Sequence, residues 1–304
     1  VGTVAAFLQL ARRFFQPLQD LSDKYNTLQQ AMTASERVFA LLDTPADASA
    51  PQMTAAPYVR TGNAGHAGVT VTFEDVWFSY GRGEATDPQW VLKGLSFSAR
   101  PGQTVALVGH TGAGKTTVIS LLLRFYDPQR GRILIDGRDI RTLPLDELRA
   151  RIGYVQQDIF LFAGDIATNI RLGNPLSDAQ VAAAAARVGA DRIVRRLPDG
   201  YQHRLGERGA SISVGERQLL SLARAIASDP ALLLLDEATS AVDSEIEAEI
   251  QLALQELMAG RTTVAVAHRL STIVAADEIL VLHHGELRER GTHRALLAAA
   301  GLYA

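Results

Sequence analysis

A glycine-rich segment at residues 109–116 carries residue types that could hold phosphate groups. It lies between an apolar stretch, VALV, and a stretch with helical character, and it reads Gly109-His110-Thr111-Gly112-Ala113-Gly114-Lys115-Thr116. Glycines let the backbone curl around phosphate oxygens, and the N-terminus of the following helix presents positive charge to the same anion. Lys115 is suited to neutralise the β- and γ-phosphates, and the Thr116 hydroxyl to bind Mg²⁺. The segment predicts a phosphate-binding loop, with a chance glycine-rich turn as the alternative.

Two acidic residues at the end of a second apolar stretch are candidates for metal binding and proton transfer. Asp236 and Glu237 directly follow a run of leucines at 232–235. Such a run is typical of a strand buried on both faces of a parallel sheet. Asp236 would hold the hydration shell of Mg²⁺, and Glu237 would act as a general base on an attacking water. Taken alone the pair would more often be a helix cap, but the phosphate loop upstream favours the catalytic interpretation.

The segments that must position these residues alternate between strand and helix patterns. Strands are predicted at 69–78, 105–109, 132–136, 231–236, 262–268 and 278–282. Helices are predicted after Gly114, over TTVISLLLRF, and at about 178–188, 215–228 and 244–259. The first strand has the alternation of an antiparallel strand, whereas the later strand–helix alternation indicates an α/β core with a parallel sheet.

The first 68 residues have a different character. Residues 1–43 are predicted to form one long helix, because apolar residues recur every three or four positions, and Pro17 should kink that helix or mark a boundary. Residues 44–68 contain three prolines and no apolar period, which predicts a linker. By itself the helix favours a coiled-coil-like packing role over the cytoplasmic end of a membrane helix. The missing initiator Met and the apolar start suggest a fragment of a longer chain.

Composition excludes several classes of protein. Hydrophobic residues make up 47% and charged residues 21%, which is ordinary for a folded domain and excludes a wholly disordered chain. The absence of cysteine excludes disulfides, thiolate catalysis and Cys-ligated zinc. A net charge of −3 argues against a dedicated nucleic-acid surface. No stretch reaches about 18 consecutive apolar residues, so no complete membrane span is predicted.

Further residues, in a fixed order around the phosphate loop, resemble a known family. They are Tyr80 in VWFSY, Gln157 in GYVQQD, the loop Gly206-Glu207-Arg208-Gly209, the segment Ser213-Val214-Gly215-Glu216, Asp243 in SAVD and His268 in VAHRLST. With these motifs, residues 69–304 resemble the nucleotide-binding domain of exporter-type ATP-binding cassette (ABC) transporters. The resemblance implies an α/β fold: a P-loop NTPase core with a parallel sheet, an antiparallel β subdomain and an α-helical signature subdomain, preceded by a long N-terminal helix.

The resemblance also implies roles for individual residues. Catalytic roles fall to Glu237, to His268, which would contact the γ-phosphate, and to Gln157, which would sense Mg²⁺ and the attacking water. Nucleotide contacts fall to Tyr80, which would stack on adenine, and to Gly109, His110, Thr111, Gly112, Ala113, Gly114, Lys115, Thr116 and Thr117. Mg²⁺ would be held by Thr116, Gln157 and, through water, Asp236. Asp243 would communicate across a dimer.

The resemblance implies ATP and Mg²⁺ as cofactors and a membrane protein as the setting. Residues 1–43 would be the cytoplasmic extension of the last transmembrane helix, 44–68 the linker and 69–304 the ATPase domain. The transmembrane domain would be largely missing from this chain. ATP hydrolysis would drive export at the cytoplasmic face of a plasma (inner) membrane, in a bacterium, with no nucleic-acid partner. The alternative function is a soluble ABC-type ATPase acting on nucleic acid or ribosomes.

The signature segment departs from the family pattern. The family usually has L-S-G-G-Q, whereas this chain has Ile212-Ser213-Val214-Gly215-Glu216. In the family this segment closes over the ATP of a second domain, so that two domains sandwich the nucleotide. Val214 restricts the backbone. Glu216 places a carboxylate near a triphosphate, and the neighbouring Arg217 could offset that negative charge. We therefore expect a weakened signature, which favours a heterodimer with a second ABC subunit over a homodimer.

Overall fold

The computed structural model describes residues 2–43, 68–81, 89–156, 158–206, 212–236, 244–267 and 270–304. The chain divides into two compact units, the first ending at Thr54 and the second beginning at Ala55. The described part of the first unit is essentially one helix, α1 (Gly2–Leu42), which runs unbroken through Pro17. Pro17 therefore does not mark a boundary. Neither α1 nor any other described helix is both long enough and apolar enough to span a bilayer.

The second unit contains all the described strands. In chain order they are β1 (Val71–Phe78), β2 (Leu92–Ala99), β3 (Thr104–Val108), β4 (Arg130–Ile135), β5 (Arg138–Asp139), β6 (Ile152–Val155), β7 (Gly164–Asp165), β8 (Arg204–Leu205), β9 (Leu232–Asp236), β10 (Thr262–Val266), β11 (Glu278–His283) and β12 (Glu286–Gly291). Every strand predicted from the sequence is present, with its ends shifted by a few residues at most.

The described helices of the second unit follow the strands in the expected alternation. They are α2 (Lys115–Leu122), α3 (Leu145–Ala150), α4 (Ile166–Arg171), α5 (Asp178–Arg187), α6 (Asp191–Arg196), α7 (Val214–Ile226), α8 (Ser244–Met258), α9 (Leu270–Ala275) and α10 (His293–Ala299). The helix after the phosphate loop is shorter than TTVISLLLRF predicts. It ends at Leu122, and Arg124 takes a left-handed backbone conformation with φ of 51°, which a helix cannot continue through.

Two sheets form the framework of this unit. The first is antiparallel throughout, in the order β2-β1-β4-β5. The second has the order β12-β11-β3-β10-β9-β6 and is parallel except for the edge strand β12, which pairs antiparallel with β11. The predicted parallel core and antiparallel β subdomain are both confirmed.

The leucine run of β9 packs into two separate parts of the core. Leu232 and Leu234 belong to a cluster shared with Phe73 of the antiparallel sheet. Leu233 and Leu235 belong to a second cluster, formed with helices that include α7 and α8. Because alternate side chains of a strand point to opposite faces, this division shows that both faces of the parallel sheet are covered.

A helical subdomain is built around α7, which packs against α4, α5 and α8. Asn169 of α4 is buried and bonds in both directions to the backbone of Phe162, at 2.8 and 2.9 Å. Arg224 of α7 donates to the Asn169 backbone oxygen at 2.9 Å and to the Phe160 oxygen at 2.8 Å. Burial lowers the pKa of Arg224. This network fixes the segment that carries Phe160 and Phe162, whose side chains are both exposed.

Candidate functional site

The phosphate loop joins β3 to α2 at the carboxyl end of the parallel sheet. Its glycines at 109, 112 and 114 have φ values of 152°, 82° and 101°, a region that side chains disfavour. A Cβ on Gly114 would lie 2.6 Å from a methyl carbon of Leu92, so this glycine also permits close packing beneath the loop. A Cβ on Gly112 would meet no atom within 4 Å, so the loop faces open space there. The loop thus has a packed inner side and an open outer side.

Lys115 begins α2, and its ammonium group folds back into the loop. The side chain is buried, and Nζ donates to the backbone oxygens of Gly109 at 2.7 Å and His110 at 2.9 Å. Burial lowers the pKa of Lys115, and the negative charge of Asp236 opposes that shift. Phosphate oxygens would replace two neutral acceptors with charged ones, which form stronger hydrogen bonds with an ammonium group.

Asp236 lies at the same edge of the sheet as the phosphate loop. Val266 of β10 pairs with Leu107 on one side and with Asp236 on the other, so Asp236 is level with a residue two positions before Gly109. The Asp236 carboxylate is buried, whereas Thr116 in the first turn of α2 is exposed. A carboxylate and a hydroxyl are the hard oxygen donors that Mg²⁺ prefers. The residues present therefore fit a Mg²⁺ site.

Tyr80 follows β1 and stands beside α2. Its hydroxyl lies 3.0 Å from the Thr117 hydroxyl, and its ring contacts those of Phe78 and Tyr126 edge-on, with centroids 4.8 and 5.2 Å away. The residue is 49% exposed despite these contacts. Tyr80 is thus an oriented aromatic side chain next to the phosphate loop, with surface available to a planar ligand.

The signature segment forms the N-terminal cap of α7. The Ser213 hydroxyl accepts from the Glu216 backbone nitrogen at 3.2 Å, and the Glu216 carboxylate accepts from the Ser213 nitrogen at 2.9 Å. This reciprocal arrangement is a capping box. The same carboxylate pairs with Arg196 of α6 at 2.6 Å. In the cap the Ser213 oxygen is an acceptor, and a hydroxyl group can also donate a hydrogen bond to a ligand.

The signature and the phosphate loop belong to different parts of the unit. Ala113 and Val118, in and after the phosphate loop, pack in the core cluster that includes the antiparallel sheet. Ile212 and Leu219, on either side of the signature, pack in the cluster of the helical subdomain. One domain therefore carries a phosphate cradle on one subdomain and a capped helix N-terminus on another.

Comparison with known proteins identifies the domain. The model of the ABC transporter family matches residues 92–240. The chain carries an ABC transporter ATP-binding domain. Over 304 residues it is 47% identical to the fatty acid ABC transporter ATP-binding/permease protein of Mycobacterium tuberculosis, a match that covers 100% of this chain and 46% of that protein. Over 304 residues it is 43% identical to the ATP-dependent lipid A-core flippase of Chromohalobacter salexigens, covering 100% of this chain and 50% of that protein.

A solved structure supports the same assignment. The structure of a bacterial Atm1-family ABC exporter with ATP bound matches with a TM-score of 0.73 and 42% identity, covering 95% of this chain and 49% of that chain. The chain spans about half the length of the curated relatives it matches. The predicted family, the ABC ATPase fold and the ATPase class are confirmed.

Several residues predicted for this ABC domain lie outside the described residues. They are Gln157, Glu237, Asp243, His268 and most of the loop at 206–209. The structure does bring together Tyr80, residues 109–117 and Asp236 at one edge of the parallel sheet. Their roles stay predictions.

The cation that pairs with Glu216 in this ABC domain cannot be predicted from the sequence. Arg196 lies 20 residues upstream on another helix, and no local pattern links the two. Arg217, the neighbour that was expected to offset the acidic charge, donates to the Ile212 backbone oxygen at 3.1 Å. Pairing with Arg196 therefore neutralises the negative charge of Glu216, which the sequence alone predicts to weaken the signature.

Proposed function

We propose that this ABC domain binds ATP with Mg²⁺ and hydrolyses it to drive export of a substrate across a membrane. The observation that carries the proposal is the placement of the Lys115 ammonium within hydrogen-bonding distance of two loop oxygens, at the sheet edge that also holds Asp236. A cation inside a glycine-rich loop and a carboxylate level with that loop are what a Mg²⁺–triphosphate requires. The named relatives are transporters, which favours export over the soluble alternative.

The chemistry is phosphoryl transfer to water, in which positioning and charge neutralisation contribute most. Lys115 and the loop N–H groups would hold the β- and γ-phosphates, while Tyr80 would stack on the adenine. Thr116, Gln157 and, through water, Asp236 would hold Mg²⁺, which when bound supplies further neutralisation of phosphate charge. The Glu237 carboxylate would accept a proton from the attacking water.

The remaining catalytic assignments rest on motif order along the chain. His268, which follows β10 in the sequence, would contact the γ-phosphate. Asp243 would communicate between two domains. Both follow the motifs in the order that the family resemblance predicts, and both lie outside the described residues.

A second ABC domain would complete the ATP site. The Ser213 hydroxyl and the positive N-terminus of α7 would close over the γ-phosphate of the partner domain, because both can donate to an anion. The altered residues Val214 and Glu216 favour a heterodimer, in which this chain contributes Glu237 to the active composite site and its signature serves a slower one. A homodimer that tolerates the variant signature is the alternative.

The transport machinery would lie upstream of this domain. We assign 1–43 to the cytoplasmic extension of the last transmembrane helix, 44–68 to the linker and 69–304 to the ATPase domain. The relatives whose names include a permease or a flippase support a transmembrane partner domain. The ATPase domain would then lie at the cytoplasmic face of a bacterial inner membrane. Those names give two different cargoes, a fatty acid and lipid A-core.

ATP binding to the full chain tests the proposal directly. Lys115→Met removes the cation from the loop, and hydrogen bonds to charged groups are worth about 1.5–3 kcal/mol, so we expect about a tenfold or greater loss of ATP affinity by calorimetry. Lys93→Met, which removes a lysine outside the loop, is the matched control and should bind ATP as the wild type does. Equal affinity of Lys115→Met and wild type would refute the phosphate-loop function.

The dimer hypothesis needs a separate measurement. The full chain with Glu237→Gln should bind ATP without consuming it, so its molecular mass is measured in solution with and without Mg-ATP. A monomer that binds ATP supports a different partner chain, whereas an ATP-dependent dimer supports the homodimer. In the assembled transporter, the heterodimer predicts that Glu237→Gln abolishes most turnover and that Ser213→Ala costs little. Equal, large losses would contradict the asymmetric model.

A further inference from the structure

Three histidines meet beside the phosphate loop because of how two strands pair. Val281 of β11 is paired in parallel register with Val108 of β3. Two residues beyond each partner, the chain reaches His283 and His110, and His284 follows in the turn before β12. The cluster therefore lies where β3 and β11 end, at the carboxyl end of the central sheet.

The ring nitrogens of these histidines are close enough to share one ion. One nitrogen from each ring lies within 4.8 Å of the others, and the ring centroids are 5.1 Å apart for His110 and His283, and 4.2 Å apart for His283 and His284. With metal–nitrogen bonds of about 2.0–2.1 Å, nitrogens in a tetrahedral site lie roughly 3.4 Å apart. Small rotations of the His283 and His284 rings would close that difference, because His284 is exposed and His283 is half-buried.

A backbone hydrogen bond prepares His110 as a ligand. Its Nδ1 lies 2.7 Å from the Thr111 backbone oxygen. A carbonyl oxygen only accepts hydrogen bonds, so Nδ1 carries the proton and Nε2 of the neutral ring presents a lone pair. Metal-binding histidines usually have this second partner, which fixes the tautomer and the ring orientation.

The turn that carries His284 is held in place by packing. His284 and Gly285 have φ values of 49° and 82°, which match a tight two-residue hairpin turn. A Cβ on Gly285 would overlap the Val91 backbone oxygen, and the Gly285 oxygen accepts from the Lys93 nitrogen at 2.9 Å. The backbone beneath two of the three imidazoles is thus anchored to the antiparallel sheet.

We propose that His110, His283 and His284 form a binding site for a divalent transition-metal ion of the Zn²⁺ class. Imidazole nitrogen suits Zn²⁺, Co²⁺, Ni²⁺ and Cu²⁺, whereas Mg²⁺ selects oxygen donors, so the site differs in chemistry from the Mg²⁺ site at Thr116 and Asp236. Three protein ligands leave a fourth position for water. His110 belongs to the phosphate loop, and its backbone oxygen accepts from Lys115. The bound ion would therefore link this loop to the β11–β12 turn.

The experiment titrates the full, untagged chain with Co²⁺ alone and then with Zn²⁺, in the absence of nucleotide. We expect one equivalent of Co²⁺ to give the strong visible absorption of tetrahedral coordination, and Zn²⁺ to displace it. His283→Gln and His284→Gln should each weaken Zn²⁺ binding by about tenfold or more. His293→Gln, which removes an imidazole elsewhere in the chain, is the matched control and should bind Zn²⁺ as the wild type does.

Three results would overturn the proposal. The first is wild-type Zn²⁺ affinity in both His283→Gln and His284→Gln, with circular dichroism showing that both are folded. The second is a weak octahedral Co²⁺ spectrum. The third is displacement of Zn²⁺ by excess Mg²⁺, which would place the ion on oxygen ligands. None of these measurements depends on ATP hydrolysis, so the metal site can fail while the proposed ATPase function stands.

Discussion

The Glu216 carboxylate lies 2.6 Å from the Arg196 guanidinium and also caps the backbone nitrogen of Ser213 at 2.9 Å. An acid in this position was expected to weaken the signature by opposing the triphosphate of a partner domain. Its charge is instead balanced by Arg196, and its second oxygen stabilises the first turn of α7. Glu216, which departs from the family pattern, therefore stabilises the N-terminus of α7.

Replacing Glu216 with Gln should strengthen ATP-dependent association. The amide keeps an acceptor for the Ser213 nitrogen, since Gln also forms a capping box. The carboxylate that balances Arg196 is lost, so the net charge near the helix N-terminus becomes more positive and favours an anion. The exposed ion pair with Arg196 is worth about 0–1 kcal/mol, so the thermal unfolding midpoint should fall only slightly. We expect a larger ATP-induced dimer fraction by light scattering in a Glu237→Gln background.

Glu249→Gln, which breaks the nearby pair with Arg192, is the control. An unchanged dimer fraction would show that the charge of Glu216 does not limit association.

Tyr80 should contribute to ATP affinity through its ring and not through its hydroxyl. Stacking of a base on an aromatic ring is worth about 1–3 kcal/mol, so Tyr80→Ala should weaken ATP binding by roughly 5- to 150-fold. Tyr80→Phe loses only the bond to Thr117 and should bind ATP nearly as well as the wild type. Inorganic tripolyphosphate, which has no base, should bind Tyr80→Ala and wild type equally. Weakened tripolyphosphate binding would instead indicate a distorted phosphate loop.

Two alanine substitutions in the phosphate loop should separate stability from binding. Gly114→Ala places a methyl group 2.6 Å from Leu92 at a φ of 101°, and the backbone strain alone costs about 1–3 kcal/mol. Gly112→Ala adds a methyl group in open space, so only the strain of its φ of 82° applies. We expect Gly114→Ala to lower the thermal unfolding midpoint more, and Gly112→Ala to weaken ATP binding in a chain that still folds. The reverse order of stabilities would contradict the packing beneath the loop.

The affinity for ATP should fall at alkaline pH because burial lowers the pKa of Lys115. The charged ammonium binds phosphate, so affinity is present below this pKa and declines as pH rises through it, earlier than for an ordinary lysine at about 10.4. The terminal phosphate, with a pKa of about 6, is already ionised throughout that range. Binding is measured from about pH 8 upward, at about half-unit steps. Lys115→Arg should give a flat profile, whatever its absolute affinity, because guanidinium stays charged. A parallel decline in both proteins would assign the effect to another group.

Local motifs predicted most of the fold and part of the site. The loop at 109–116 and the leucine run before Asp236 each contain their signal within a few residues, and both elements lie where the sequence placed them. The edge strand β12, with the sequence ELRERG, was missed because it pairs on one side only and carries charged residues. The pairs Glu216–Arg196 and His110–His283 were not predictable either, because packing and strand register bring together residues that are far apart in the chain.

The alternation of Leu232 to Leu235 between two core clusters determines which mutations in β9 would displace Asp236. Each leucine could be exchanged for another apolar residue of similar volume with a small loss of stability, because packing in both clusters depends mainly on hydrophobic volume. Inserting or deleting one residue in β9 would instead send every following side chain to the opposite face of the sheet. Asp236 would then move off the row that it shares with Val266 and Leu107. The number of residues in this strand, more than their identity, therefore encodes the position of the carboxylate.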